Sequence, residues 1–575
     1  MSRGAETRQH SARKFTGRIS VVIAFFVFAA SALVARAVHL QVFNTDFLNR
    51  QADNRHLRTD TISAHRGSIT DRFGEPLAIS TPVDSIWANP QELATAVDRV
   101  PELARVLGVE ADQLTREITR NMNKQFMYIM RHLSPDDADK VLALNLPGVN
   151  SQREYRRYYP AGEVAGHLVG FTDIDEIGLE GIELAYNHWL AGAPGSKRVL
   201  KDRLGRAVEN VASVKAPQHG KDLRTSIDLR LQYLAYRALK GAIRKHGAES
   251  GSIVILDVTT GEVLAMVNQP SYNPNDRSQI VPDRYRNRAI ADIFEPGSSI
   301  KPMIVAAALE SGRYRAGSMV DTSPGYVVVG PKKIEDPRNL GRISMASILS
   351  RSSNVGITKV AMSLDADQLW QSMTRFGFGS VTSSGFPGES AGLLTHYSDW
   401  RQINQATIGY GYGVSVTPLQ LAQAYAALGN DGQLRPVSLV ALDEPGESRR
   451  IIDSDTALAV RQMMEEVVRP GGTGVGASVD GYSIAGKTGT SWKFAPGGYS
   501  EDKYFSIFAG LAPSSEPKLA AVVIIDEPTG ELYYGGDVAA PVFGDIMAES
   551  LRLLAVPPDA LPGVASAGVV QAMSQ

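Results

Sequence analysis

One stretch limits this chain more than any other. Ile19 to Ala35 runs seventeen residues without a charge, and no later stretch of the 575 residues is long and apolar enough to repeat it. As a helix rising about 1.5 Å per residue it spans about 25 Å, just short of a bilayer core of about 30 Å. Arg18 and Arg36 close the gap by snorkelling to the two interfaces. Ahead of the span, Arg3, Arg8, Arg13, Lys14 and Arg18 stand against a single acid, Glu6. That bias places residues 1–18 in the cytoplasm and everything after the span outside. Ala35-Arg36-Ala37 also has the form of a signal-peptide cleavage site. The apolar character continues from Val38 to Leu48, so an uncleaved anchor with its juxtamembrane segment is expected over residues 19–43.

The remainder is an extracytoplasmic body. Its 43% hydrophobic and 21% charged residues exclude global disorder, and a net charge of -2 gives no basis for nucleic acid as a partner. The absence of cysteine excludes disulfides, thiolate catalysis and Cys-ligated metals. At about 150 residues per domain the length suggests about three or four units. Residues 44–220 read as a mixed domain of short elements, with helical periodicity from Asp98 to Leu107 and from Ser134 to Ala143. They show no catalytic constellation, which points to a structural or docking role.

Near residue 220 the pattern changes. Asp228 is a good N-cap for a helix from Leu229 to His246, closed by Gly247. Ser252–Val258 and Glu262–Asn268 flank Thr259-Thr260-Gly261 as a hairpin. Three more strands are expected at Tyr482–Thr490, Tyr504–Leu511 and Leu519–Asp526. Between them lie helical patterns at Pro302–Glu310, Met345–Leu364 and Pro418–Leu428, and a last helix is expected over Pro541–Leu554. Strands at both ends with helices between and after them predict an α+β domain over residues 221–555. Its five-stranded antiparallel sheet is completed by the C-terminal part of the chain and flanked by helices. Residues 556–575, rich in Pro, Ala, Gly and Ser, read as a disordered tail.

Three short motifs carry chemistry. Phe294-Glu295-Pro296-Gly297-Ser298-Ser299-Ile300-Lys301-Pro302 places a serine at a helix start and a lysine one turn on. A serine hydroxyl attacks only when a base takes its proton, and a desolvated neutral lysine does that. Ser-x-x-Lys also occurs at Ser11, Ser500 and Ser515, but only Ser298 opens an apolar helix. Ser352-Ser353-Asn354 offers a hydroxyl to relay protons and a carboxamide to hold a peptide backbone. Alone it is a turn like any other, and Ser271-Tyr272-Asn273 fits the same pattern. Lys487-Thr488-Gly489-Thr490 ends a strand-like run, and its lysine and hydroxyls suit a substrate carboxylate. Gly489 there is expected to clear space for a substrate chain. No His-Glu-x-x-His stretch or other metal motif stands in the chain, so no metal or organic cofactor is expected.

The motifs follow one another in this order, their first residues 54 and then 135 positions apart. Together they resemble the signature of penicillin-binding transpeptidases and class A β-lactamases. Arg66-Gly67-Ser68-Ile69-Thr70-Asp71-Arg72-Phe73-Gly74, Arg157-Tyr158-Tyr159-Pro160-Ala161-Gly162 and Gly178-Leu179-Glu180-Gly181-Ile182-Glu183 are similar to N-terminal motifs of class B penicillin-binding proteins. Arg286-Asn287-Arg288 and the segment Tyr410 to Thr417 are similar to the division-specific FtsI branch.

The resemblance implies a non-catalytic pedestal of the dimerisation type at 44–220 and a D,D-transpeptidase domain beyond it. Ser298 would attack the penultimate D-alanine carbonyl of a peptidoglycan stem, with Lys301 as base. Ser352, near Lys301 and Lys487, would protonate the leaving D-alanine. An amine on a neighbouring stem would then resolve the acyl-enzyme. The oxyanion hole would come from the Ser298 and Thr490 N–H groups. Asn354 would hold the stem backbone, and Thr488, Gly489 and Thr490 the terminal carboxylate. β-lactams would acylate Ser298. The implied location is the bacterial inner membrane at the division site, with the catalytic domain in the periplasm. The implied partners are strands made from lipid II, an FtsW-type glycosyltransferase and other divisome membrane proteins. An elongation-type transpeptidase and a serine β-lactamase or β-lactam sensor share the Ser-Lys apparatus, and a catalytically silent scaffold is the non-enzymatic alternative. One departure stands out: the family often has Ala and a basic residue after Lys-Thr-Gly-Thr, and here Ser491 and Trp492 follow.

Overall fold

The computed structural model describes residues 6–43, 57–201, 207–279, 281–495 and 497–560. These fall into two compact units. The first comprises residues 1–64, 83–154 and 193–218, and the second residues 65–82, 155–192 and 219–575. The units interleave along the chain, and the Arg- and Gly-rich motifs of the N-terminal half lie in the second. Arg66 and Arg157 both pair with the fully buried Glu183, each at 2.6 Å. Asp71 caps the helix that starts at Leu229 by accepting its backbone N–H at 3.2 Å. Ile69, Leu77, Tyr159, Leu168 and Ile182 share one core with the helices that follow residue 300.

In the first unit, helix α1 spans Glu6–Val38 and runs into a π-helical turn, His39–Phe43. Its apolar part, Arg18–Gln41, is 24 residues long, enough for about 36 Å. It exceeds the uncharged run because it takes in Arg18 and Arg36, whose charged heads reach the interfaces by snorkelling. Farther along, helices Val100–Leu107, Ala111–Arg120 and Pro135–Leu142 cover a core of Ile86, Leu103, Leu114, Ile118, Val141 and Leu146. The helix expected from Asp98 begins at Val100, because residues Ala94–Arg99 are a 3-10 stretch. The helix expected from Ser134 begins one residue later, and Ser134 is its N-cap, accepting from Asp137 N–H at 3.2 Å.

The second unit holds the antiparallel five-stranded sheet. Its strands are β1 (Ser250–Asp257), β2 (Val263–Gln269), β3 (Ala485–Ala495), β4 (Gly498–Ala512) and β5 (Leu519–Asp526), in the order β2-β1-β5-β4-β3. Side chains alternate across the two faces. Ile253, Ile255, Val523 and Ile525 pack with helices α2 (Leu229–His246) and α8 (Gly535–Leu553). Val254, Leu256, Val522 and Ile524 belong to the opposite core. That core contains α3 (Lys301–Glu310), α4 (Met345–Ser350), α5 (Asn354–Ser363), α6 (Pro418–Gly429) and α7 (Ser454–Val468). Helices on both faces are why these antiparallel strands read as continuous apolar runs instead of alternating with polar residues.

Helix α2 has the expected ends: Asp228 accepts from Arg230 N–H, and Gly247 closes it at φ 57°. Two other expectations fail. The last helix starts at Gly535, with Pro541 inside it. A Cβ on Gly535 would lie 2.3 Å from the Gly489 and Ile507 carbonyls, so this glycine serves close packing on the sheet and is no helix break. The first five residues of the tail expected from residue 556 are held in place. Asp559 accepts from Ser483 N–H at 2.8 Å and Ala560 N–H donates to Gly481 O at 3.0 Å, which fixes residues 556–560. Residues 561–575 lie outside the described residues.

Candidate active site

Ser298 lies on a one-turn 3-10 helix, Gly297–Ile300, that leads directly into α3. In 3-10 geometry side chains at i and i+3 eclipse, so Ser298 and Lys301 share one side of the turn. Three bonds fix this turn: Tyr425 OH to Ser299 O at 2.7 Å, Ser299 Oγ to Pro296 O at 2.6 Å and Gly297 N–H to Gly411 O at 3.2 Å. The turn also lies against β3, because a Cβ on Gly297 would stand 3.0 Å from Thr490 O. The backbones of Ser298 and Thr490 are thus neighbours, as an oxyanion hole between them requires.

Lys301 is fully buried. Its Nζ donates to Ser352 O at 2.7 Å and Asn354 Oδ1 at 2.8 Å, and stands 3.3 Å from Ser352 Oγ. The first two acceptors have no hydrogen to give, so they take two donors of the amine whatever its protonation. A neutral amine then keeps its lone pair for a hydroxyl. Burial pushes the Lys301 pKa down to about 7, and the Asp336 carboxylate opposes part of that fall. Lys487, also fully buried, donates to Ser352 Oγ at 3.1 Å, Thr488 O at 2.9 Å and Thr488 Oγ1 at 3.1 Å. Its pKa lies well below the usual lysine value, first through burial and then through the charge of Lys301. One hydroxyl, Ser352 Oγ, therefore bridges two buried lysines that resist carrying charge together.

The helix expected over Met345–Leu364 is broken to make this bridge. It divides into α4 and α5, and Ser352 at the break has φ 55°. The left-handed region disfavours residues other than glycine, at a cost of about 1 kcal/mol or more. Ser352 N–H and Ser353 N–H donate back to Leu349 O and Ile348 O, which closes α4. Glycine would fit the backbone better but would remove the hydroxyl. Ser352→Gly is therefore expected to leave stability equal or raise it by up to about 1 kcal/mol, while acylation by penicillin slows at least tenfold. A thermal melt beside a stopped-flow acylation measurement separates the two effects.

Two carboxylates that were given no role from the sequence hold the site together, Asp336 outside the motifs and Glu295 within the first of them. Asp336, buried, accepts from Ser353 Oγ at 2.5 Å, Asn354 N–H at 2.6 Å and Val355 N–H at 3.1 Å. It caps α5 and fixes the serine-rich turn. Glu295 accepts from Gly413 N–H at 2.7 Å and Tyr499 OH at 3.0 Å through one oxygen. Its backbone carbonyl takes the Ser491 hydroxyl at 2.7 Å. Ser491 is thus a buried link between β3 and the serine segment. Trp492 is 47% exposed beside Tyr412, whose hydroxyl accepts the Trp492 N–H at 3.1 Å. Aromatic surface stands where the family often has a cation.

The bonds join Lys301, Ser352, Asn354, Lys487 and Thr488, while Ser298 and Thr490 meet through the turn. Lys301's bonds do not include Ser298 Oγ. Asn354 uses Oδ1 on Lys301 and keeps its NH2 for a guest. Thr490 Oγ1 accepts from Gly535 N–H at 3.0 Å, which leaves its O–H free to donate. A Cβ on Gly489 would lie 2.9 Å from Pro296 O and 3.3 Å from the Ser299 Cβ, so this glycine lets the Ser298 turn sit close on β3.

A serine at a turn, a buried lysine three residues on and a second lysine on the facing strand, both lysines bridged by one hydroxyl, form one polar cluster on an α+β scaffold. The penicillin binding protein transpeptidase domain matches residues 251–548, and the penicillin-binding protein dimerisation domain matches residues 61–225. The chain belongs to the penicillin-binding proteins. It is 44% identical to the peptidoglycan D,D-transpeptidase FtsI of Escherichia coli K12, over 96% of this chain and 95% of that one. It is 43% identical to the probable peptidoglycan D,D-transpeptidase PbpC of Pseudomonas aeruginosa, over 96% and 98%. The crystal structure of a peptidoglycan synthetase from Bifidobacterium adolescentis superposes with a TM-score of 0.71 at 25% identity, covering 88% of this chain and 98% of that one. The chain is of the division type within this family, and among the described residues one helix, near the N-terminus, is long and apolar enough to cross a membrane, which fits a single-pass membrane protein.

Proposed function

We propose that this chain crosslinks peptidoglycan stem peptides of the septal wall through an acyl-enzyme on Ser298. The observation that carries the reading is the buried bridge of Lys301, Ser352 Oγ and Lys487 beside the Ser298 turn. Neutral Lys301 takes the Ser298 proton as Oγ attacks the carbonyl of the penultimate D-alanine. The tetrahedral oxyanion lies against the N–H groups of Ser298 and Thr490, each such donor contributing about 3–4 kcal/mol to the transition state. The C–N bond breaks, and the proton returns through Ser352 Oγ to the departing D-alanine nitrogen. An amine of a second stem then attacks the ester, loses its proton by the same route and releases Ser298. Thr488 and Thr490 hydroxyls, with the nearby lysine, hold the donor's terminal carboxylate. A β-lactam carbonyl enters the same step but leaves no departing group, so the ester persists.

Acylation with benzylpenicillin followed by peptide mapping tests this assignment. The adduct is expected on the peptide containing Ser298, and none on those containing Ser11, Ser500 or Ser515. An adduct on any other serine overturns it.

The site is read as periplasmic from the charge bias of residues 1–18, and as septal from the similarity to FtsI relatives. An FtsW-type glycosyltransferase as partner fits both, since polymerase and crosslinker held together act on one nascent strand at high effective concentration. Exchange of residues 19–41 for an unrelated span in the full-length chain is expected to reduce co-purification with the polymerase at least fivefold, with penicillin labelling unchanged. Unchanged co-purification would remove the anchor from the interface.

A further inference from the structure

We propose that a cavity at one end of the β1–β5 sheet is a binding site for an α-amino acid head group, a carboxylate and an ammonium on one carbon. The cavity has a volume of about 490 Å3, and none of Ser298, Lys301, Ser352 or Lys487 lines it. That size is within the usual range of about 300–1,000 Å3 for small-ligand sites.

Its two charged walls have opposite sign. On the wall from Arg286 to Phe294, two guanidiniums share one carboxylate: Arg286 Nε and Arg288 Nη1 both donate to Asp292, the latter at 2.9 Å. Their further bonds go to the Ala291 and Asp283 carbonyls, at 3.1 and 3.4 Å. Arg286 keeps Nη1 and Arg288 keeps Nε unspent among the described residues. Asn287 between them turns inward, accepting from Asn268 Nδ2 at 2.8 Å and donating to His167 O at 3.3 Å. The inward asparagine presents both arginines to the cavity. On the facing wall Lys493 Nζ stands 3.0 Å from Asp526, 2.6 Å from Glu527 and 3.9 Å from Glu249. Among the residues that line this wall, carboxylates outnumber ammonium groups, Glu249 and Asp526 against Lys493. Glu249 is the exposed member, with 64% of its side chain open. Phe294, Phe505 and Ile524 supply apolar surface between the walls.

A guest must therefore carry an anion toward the arginines, where a planar carboxylate suits paired guanidinium donors. It must carry a cation toward Glu249. An α-amino acid head group meets both conditions, and the apolar lining is left to its side chain. On the transpeptidase reading there are two sources: free D-alanine released by the reaction, and the diamino-acid end of a stem peptide.

The test uses full-length protein in detergent with Ser298 already acylated by penicillin, which closes the catalytic cleft. D-Alanine and meso-diaminopimelate are titrated separately by ligand-observed NMR and calorimetry. Saturable binding of at least one is expected; the tighter of the two identifies the source. Propionate and ethylamine, each with one charge, are expected to bind at least tenfold more weakly. The Arg286→Gln, Arg288→Gln double variant is expected to weaken binding at least tenfold while still acylating with penicillin, which shows that it folds. Glu249→Gln, at an exposed position, is expected to weaken binding about threefold or more. No saturable binding of either amino acid to the acylated protein overturns the proposal. So does equal binding by the double-Gln variant or by the single-charge analogues. Failure of Ser298 to acylate would instead strike the transpeptidase reading and leave the cavity's binding measurable.

Discussion

Ser298→Ala is expected to abolish penicillin acylation and D,D-transpeptidase activity while the protein folds and inserts normally. The two halves of this result have separate causes. The hydroxyl at that position is the one expected to form the ester, because the other Ser-x-x-Lys serines of this unit are bonded to carboxylates and not to a buried lysine: Ser500 Oγ bonds Asp502 and Ser515 Oγ bonds Asp559. The fold is spared because the turn is held by Tyr425, Ser299 and Gly411, with no bond from the Ser298 side chain to Lys301. A thermal melt within about 0.5 kcal/mol of wild type is the expected control for removing one half-buried hydroxyl. Residual labelling at the wild-type rate would remove Ser298 from the role of nucleophile.

Elements with strong local signals were legible in the sequence. Helix α2 has Asp228 and Gly247 at its ends, and strand β5 is an unbroken apolar run, so both begin and end where expected. Where tertiary packing overrides local signals, the sequence was opaque. The hairpin of β3 and β4 extends past its apolar part to Ala495 and Gly498, carried by Trp492, Phe494 and Tyr499, which are exposed and show no burial pattern. The break at Ser352 carries no glycine to mark it, because the site needs the hydroxyl more than the relaxed backbone. Ser298 and Lys301 could be paired from the sequence because they lie three positions apart, on one side of a turn. Asp336 was not legible, since it reaches the Ser353 hydroxyl from 17 residues away and belongs to no motif. Glu295 sat inside the quoted motif, yet nothing local announced that its carboxyl would tie the loop at Gly413 and Tyr499 to the serine segment.

Lys301→Arg is expected to slow acylation by about 10²–10⁴-fold, the usual contribution of a positioned general base. Arginine keeps a positive charge but does not deprotonate near neutrality, so the variant separates proton transfer from electrostatics. Wild-type pH dependence supplies the same distinction without a substitution. Burial disfavours the ammonium form of Lys301, which holds its pKa near 7. The base is then mostly neutral above pH 7 and mostly protonated below it. Acylation should therefore be flat above about pH 8 and fall about tenfold per unit below pH 6. Asp336 opposes the burial effect by favouring the charged lysine. Asp336→Asn should consequently move the acidic limb to lower pH, even as the plateau drops because the Ser353–Asn354 turn loses an ionic anchor. A limb that stays in place in Asp336→Asn, or near-normal acylation by Lys301→Arg, would mean that the lysine acts through its charge and that another group takes the serine proton.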